Sequence, residues 1–174
     1  WVTGTAPQPL ELAEESADVV RQQIAKIQAA GAALRQQLQK QRPDALVVLA
    51  TDSGRLFSRV QVPQFITFMG EEVWGSTRLA GLNEPPEADI VKLRCASGLG
   101  SFIQEELVYH KFDMNYSKTL NPLGQPTYGV PASLVNVVRL LNPALDIPVV
   151  PIYINTHVDP APTGHRCYAF GKAL

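Results

Sequence analysis

Apolar residues recur along the chain with two different periods, and the changes of period mark out the elements. Between about Ala13 and Gln41, Val20, Ile24, Ile27, Ala30, Leu34 and Leu38 fall three or four positions apart. That spacing lays one apolar stripe along a helix, with Gln22, Gln23, Lys26, Arg35, Gln36 and Lys40 on the opposite face. Pro43 helps end the helix, because the residue before a proline is pushed out of the α region. "ALVVLA" (45–50) is then apolar almost without interruption, as in a parallel strand buried on both faces. "WVTGTA" (1–6), "VPQFITFM" (62–69), "FDMNYSKTL" (112–120) and "IPVVPIYIN" (147–155) also read as extended, the last most strongly. A second helix is expected from about Ala88 to Tyr109, with Ile90, Leu93, Leu99, Phe102, Ile103 and Leu107 inward. Gly98 and Gly100 weaken it by up to ~1 kcal/mol each relative to Ala. "ASLVNVVRLL" (132–141) reads as a short helix, and "HRCYAFGKAL" (165–174) begins another.

Helices alternating with buried strands are the grammar of an α/β domain, here with a largely parallel or mixed central sheet flanked by helices. The 174 residues suit a single domain. Polar loops at 4–9, 51–55, 124–129 and 156–160 follow the expected strand ends. Ligands of open α/β sheets are held at the carboxyl ends of strands, so these loops are the place to look for chemistry.

Composition narrows the partners. Hydrophobic residues make up 45% and charged residues 18%, with a net charge of −1. No basic patch of the kind that reads nucleic acid is visible. No run approaches the roughly 20 apolar residues that span a bilayer, and no leader segment is visible. Cys95 and Cys167 stand far apart and form no Cys-x-x-Cys pair, which fits a reducing, cytoplasmic setting. The chain opens on Trp1 rather than Met and stops inside a helical run, so it is expected to be part of a longer product.

The donor inventory is thin. A mononuclear iron or zinc site needs at least three N, O or S ligands. The histidines are His110, His157 and His165, and no two have a ligand spacing. His110 reads as a solvated helix terminus and His165 as a first-turn surface residue. His157 and Asp159, in "NTHVDP", offer two donors at a strand end, although a loop packed by its own polar groups is the better account of them. Ser53 lacks the G-x-S-x-G elbow of a nucleophilic serine. No phosphate-binding glycine loop occurs.

The stretch "PVVPIYINTHVDPAPTGHRCYAFGKAL" (148–174) resembles the class III extradiol ring-cleavage dioxygenases, the group of the protocatechuate 4,5-dioxygenase β-subunit and 3-O-methylgallate dioxygenase. The resemblance is carried by Val150, Pro151, Asn155, Thr156 and Pro160, then by Arg166, Cys167, Tyr168, Ala169, Gly171 and Ala173. "RPDALVVLATDSGRLFS" (42–58) and "HKFDMNYSKTL" (110–120) are similar to two further family stretches. The resemblance implies a subunit-B-like α/β fold and a further C-terminal segment of about a hundred residues. It also implies Fe(II) held by two His and one Glu, with another His as acid–base partner. The family's first ligand histidine falls at Pro7 of "GTAPQP", its second at Gly54 of "DSGRLFS", and its acid–base histidine at Tyr128 of "PTYG". The Glu would lie in the C-terminal segment.

Fold-bearing positions therefore match where chemistry-bearing ones do not. Pro7 and Gly54 have no side-chain donor atom, and Tyr128, with a phenol that titrates near 10, is a poor base at neutral pH. The expectation is a vestigial pocket of Pro7, Asp52, Ser53, Gly54, Tyr128, Thr156 and His157, with no metal and no cofactor. The chain is then a non-catalytic subunit or scaffold, a homo- or hetero-oligomer, with a catalytic homologue as a candidate partner. Two alternatives stay open. One is an active Fe(II) dioxygenase with a site rebuilt from Asp52, His157, Asp159 and Tyr128, with a Glu from beyond Leu174. The other is a module binding an aromatic acid through Arg55, Tyr128 and Thr156.

Overall fold

The computed structural model describes residues 16–51, 62–77, 89–119 and 129–174. Its elements in chain order are α1 (Ala17–Gln41), β1 (Leu46–Thr51), β2 (Phe65–Phe68), β3 (Glu72–Ser76), β4 (Ile90–Arg94), α2 (Ser97–Tyr109), β5 (Met114–Ser117), α3 (Ala132–Leu141), β6 (Val149–Ile154) and α4 (Gly164–Ala173). Four strands form one mixed sheet in the order β1-β6-β2-β5. β1 runs parallel to β6 and β2 parallel to β5, while β2 and β6 are antiparallel. A mixed sheet flanked by helices is the α/β architecture that the alternation of patterns predicts.

β3 and β4 form a separate antiparallel pair, and here the expected long helix from Ala88 to Tyr109 is corrected. Ile90–Arg94 alternates exposed and buried, the period of a strand. Val91 and Leu93 point into the core, and Ile90 points out. The helix starts only at Ser97 and buries Gly100, Gln104 and Leu107, leaving Leu99 and Phe102 exposed. Helical and strand periods coincide over short apolar runs, which is why Leu93 fitted both readings.

The core has two halves, one on each side of the sheet. On one side Leu134, Val135 and Val138 of α3 and Val73, Val91 and Leu93 of the β3–β4 pair cover Ile66, Phe68, Val149 and Tyr153. On the other, Leu107, Phe112 and Phe170 cover Phe65, Val150 and Ile152. The Phe65 and Phe170 rings stack with centroids 4.5 Å apart, and Phe112 meets both edge-on. The Arg166 guanidinium lies 4.7 Å from the centre of the Phe112 ring. Its Nη2 also donates to the Lys111 carbonyl.

Gly129 is a backbone requirement. It sits at φ 67° against the Trp74 carbonyl, too close to admit a Cβ. Val130 N–H donates to that carbonyl at 2.8 Å, tying the start of α3 to β3.

Two expectations about burial are revised. Among the described residues β1 is an outer strand of the four-stranded sheet, and Val47 and Leu49 on one of its faces are exposed rather than buried. α1 packs on α3 through Gly31, which is buried near Leu140, and Leu38 is half-buried. Val20, Ile24, Ile27 and Leu34 of its stripe are exposed.

Candidate functional site

The register of β1 on β6 pairs Thr51 with Ile154, so the carboxyl ends of these two strands lie side by side. The antiparallel β2 enters at the same end, with Phe65 opposite Ile154. The N-terminus of α3 arrives there too, and Ser133 Oγ donates to the Thr51 carbonyl at 3.3 Å. One sheet end thus gathers Thr51, Gln64, Ser133 and the loop after β6. Asp52, Ser53 and Gly54 follow Thr51 in the sequence. Those three residues, Pro7, Tyr128 and Arg55 lie outside the described residues.

Asn155 organises the described part of the site. It is buried, and its N–H donates to the Gln64 carbonyl at 2.9 Å. Its side-chain oxygen accepts from the N–H groups of His157 (3.2 Å) and Val158 (3.0 Å). Its Nδ2 donates to the Val158 carbonyl at 2.6 Å. An asparagine that replaces backbone partners in this way fixes a tight turn after a strand. Gln64 Nε2 donates to the Pro160 carbonyl at 3.3 Å and closes the loop from the other side. The reading of this loop as packed by its own polar groups is what the geometry supports.

The loop presents Thr156 and His157 to solvent, with the Thr156 hydroxyl 2.8 Å from His157 Nδ1. Asp159, the second donor expected beside His157, is also exposed. Among the described residues no three His, Cys, Asp or Glu side chains lie close enough to hold a metal ion. Among the described residues the donor set at this end is therefore one imidazole, engaged at Nδ1, and exposed carboxylate and hydroxyl groups. That set does not fit a two-His, one-carboxylate iron centre.

Cys95 lies at the opposite end of β6, bridged to Val149. Cys95 is buried, and burial pushes its thiol up from 9.0 to about 12, with Glu71 and Glu72 adding to the shift against a hydrogen bond from Val73. A thiol held protonated is a core residue rather than a nucleophile. Cys167 packs at the edge of the Phe65–Phe170 cluster.

Sequence reasoning placed Thr156 and His157 at a strand end, which the structure bears out, but passed over Asn155 as an organiser and Ser133 as a neighbour. The Asn-Thr-His order at the end of the strongest strand was the available signal for the first. Nothing in the sequence signalled the second, because it depends on where α3 docks. A separate cleft of about 430 Å³ lies between α2 and β5, lined in part by Gln104, Tyr109, Tyr116 and Lys118. No sequence motif pointed to it. Compared with known proteins, the chain matches no family model and no curated sequence.

Proposed function

We propose that this chain is a non-catalytic α/β subunit or scaffold of the class III extradiol dioxygenase type, holding the architecture of that site without its iron chemistry. The observation that carries the reading is the pairing of Thr51 with Ile154. It runs the strands 46–51 and 149–154, each inside a stretch that resembles the family, side by side and in the same direction, which supports the reading. At the matching positions stand Pro7 and Gly54, which have no side-chain donor atom, and Tyr128, which is a weak base. Loss of two imidazoles removes most of a three-ligand site, when losing an outer-shell partner alone costs about 10–100-fold in metal affinity.

Such a subunit keeps its core and an interface and works beside a homologue that bears the histidines. The test is anaerobic Fe(II) titration of the purified chain, with metal content read after desalting, together with co-purification from the source cells. The expected result is no retained iron and a stable complex with a histidine-bearing homologue. Stoichiometric iron with ring opening of a catechol or gallate would overturn it in favour of a rebuilt active site. Stabilisation by hydroxybenzoates without turnover would favour an aromatic-acid binding module, because a ligand that binds only the native state raises its apparent stability.

A further inference from the structure

The cleft of about 430 Å³ between α2 and β5 has the size of a small-molecule pocket. Ser101, Gln104, Glu105 and Tyr109 of α2 line one side of it, and Tyr116 of β5 with Lys118 just beyond lines the other. Tyr116 pairs with Thr67 in the β2–β5 register, whereas Phe65, at the other end of β2, lies opposite Ile154. The cleft therefore stands at the far end of β2 from Asn155.

Two polar side chains are buried here without a hydrogen-bond partner. The buried positions of α2 are 100, 104 and 107, a helical spacing that ordinarily selects small or apolar residues. Gln104 breaks that rule. It is only 7% exposed, and its Oε1 has no partner among the described residues. Thr67, opposite Tyr116, is fully buried, and its Oγ1 has no partner among them either. Thr67 shares a sheet face with Phe65, the face that Leu107 of α2 covers. Folded proteins rarely leave buried polar groups unpaired, and each exception calls for an explanation. At the mouth, Tyr109 and Tyr116 expose their rings, at 77% and 61%, and Glu105 and Lys118 are exposed as well.

We propose that this cleft binds a nucleoside monophosphate. Each part of that ligand has a counterpart here. A glutamine amide sets a donor beside an acceptor and so matches the paired donor and acceptor on the edge of a base. Tyrosine rings stack on the faces of bases whatever their identity. The Glu105 carboxylate can accept from ribose hydroxyls, as acidic side chains do in dinucleotide sites. Lys118 supplies a cation for the phosphate. A single phosphate fits better than three, because the cation stands near a carboxylate and the C-terminal half of α2, whose dipole end repels anions. The site does not depend on the dioxygenase-like reading.

The experiment is calorimetric titration of the full chain at low salt with AMP, GMP, CMP and UMP, and with the nucleoside of whichever binds. At least one monophosphate is expected to bind with a Kd below about 1 mM. Gln104→Leu should weaken it by at least about 10-fold while the melting temperature holds or rises, since an unpaired buried amide is replaced by an apolar group of similar size. Tyr116→Ala, at an exposed side chain, should weaken it by about 10-fold through lost stacking. Lys118→Ala should bring the nucleotide down to the affinity of its nucleoside. No binding of any of the four at about 1 mM would overturn the proposal. So would binding that Gln104→Leu and Tyr116→Ala leave unchanged, which would put the ligand elsewhere, or a Gln104→Leu protein that melts well below wild type, which would mean that the amide is partnered within the core.

Discussion

α1 and α4 are amphipathic helices with opposite fates. α1 is 25 residues long with a regular stripe, yet its buried residue is Gly31. α4 has 10 residues and a patchier pattern, yet its Phe170 is stacked on Phe65 and fully buried. A stripe records that a face is to be covered; it does not record which surface covers it. α4 is held by ring geometry, since three aromatic rings in stacked and edge-on contact fix both its position and its rotation. α1 is held at one end by the close approach that a glycine permits, and Val20, Ile24 and Ile27 of its other half are exposed.

That contrast predicts unequal responses to mutation. The largest is expected at the aromatic cluster. Phe170→Ala should cost about 3–5 kcal/mol in denaturant unfolding, through lost burial and a cavity between Phe65 and Phe112. A cost below about 1 kcal/mol would mean that α4 is no better anchored than α1. Next comes Gly129→Ala, which forces a Cβ against the Trp74 carbonyl at positive φ. A loss of about 2 kcal/mol or more is expected, because the β3 contact under α3 must shift.

Alkali offers a gentler probe of the core beneath α3. The Cys95 thiol is raised in the folded protein to about 12 from 9.0. The unfolded chain therefore releases this proton first as pH rises. Stability is fully present below pH 9 and declines between about 9 and 12. A melting temperature that falls over this window in wild type, and falls less in Cys95→Ala, is the expected outcome. Melting curves that stay parallel for the two proteins would assign the decline to other groups.

The smallest effects separate the two helices most directly. Thr163 Oγ1 caps α4 by accepting from Arg166 N–H at 3.2 Å, and Ser16 caps α1 in the same way. Loss of either cap is worth about 1 kcal/mol to its helix. Thr163→Ala should lower global stability, because α4 unfolds with the core. Ser16→Ala should instead raise amide exchange in the first turns of α1 and leave the global midpoint nearly unchanged at low protein concentration. Equal shifts in both variants would show that the first half of α1 is integrated with the core.

Much of the architecture was legible in the pattern of the chain. The strands at 46–51, 65–68, 114–117 and 149–154 and the helix at 132–141 follow from local hydrophobicity and turn residues, which need no knowledge of distant neighbours. The β3–β4 pair was missed because Ile90, Val91 and Leu93 lie in a run too short to separate the two periods, and because Glu72–Ser76 is interrupted by Gly75. Gly75 makes sense only beside Val130 and Val135, which fill the space where its side chain would stand. At the site, Thr156 and His157 could be placed at a strand end from sequence because a strand announces its own end. The turn made by Asn155 joins partners two and three residues apart and was within reach of the sequence, whereas the approach of Ser133 to Thr51 was not, since α3 brings in the donor.

The sequence by itself determined the α/β class, the strand whose carboxyl end bears Asn155, Thr156 and His157, and the absence of side-chain donor atoms at Pro7 and Gly54, because these depend on local period and side-chain identity. Only the tertiary structure decided that β1 is an outer strand among the described residues, that Cys95 is sealed in the core, and that α1 meets α3 through Gly31 while Val20, Ile24 and Ile27 are exposed. Those outcomes depend on which surfaces remain once the larger aromatic and branched side chains have packed, and no single stretch of chain contains that information.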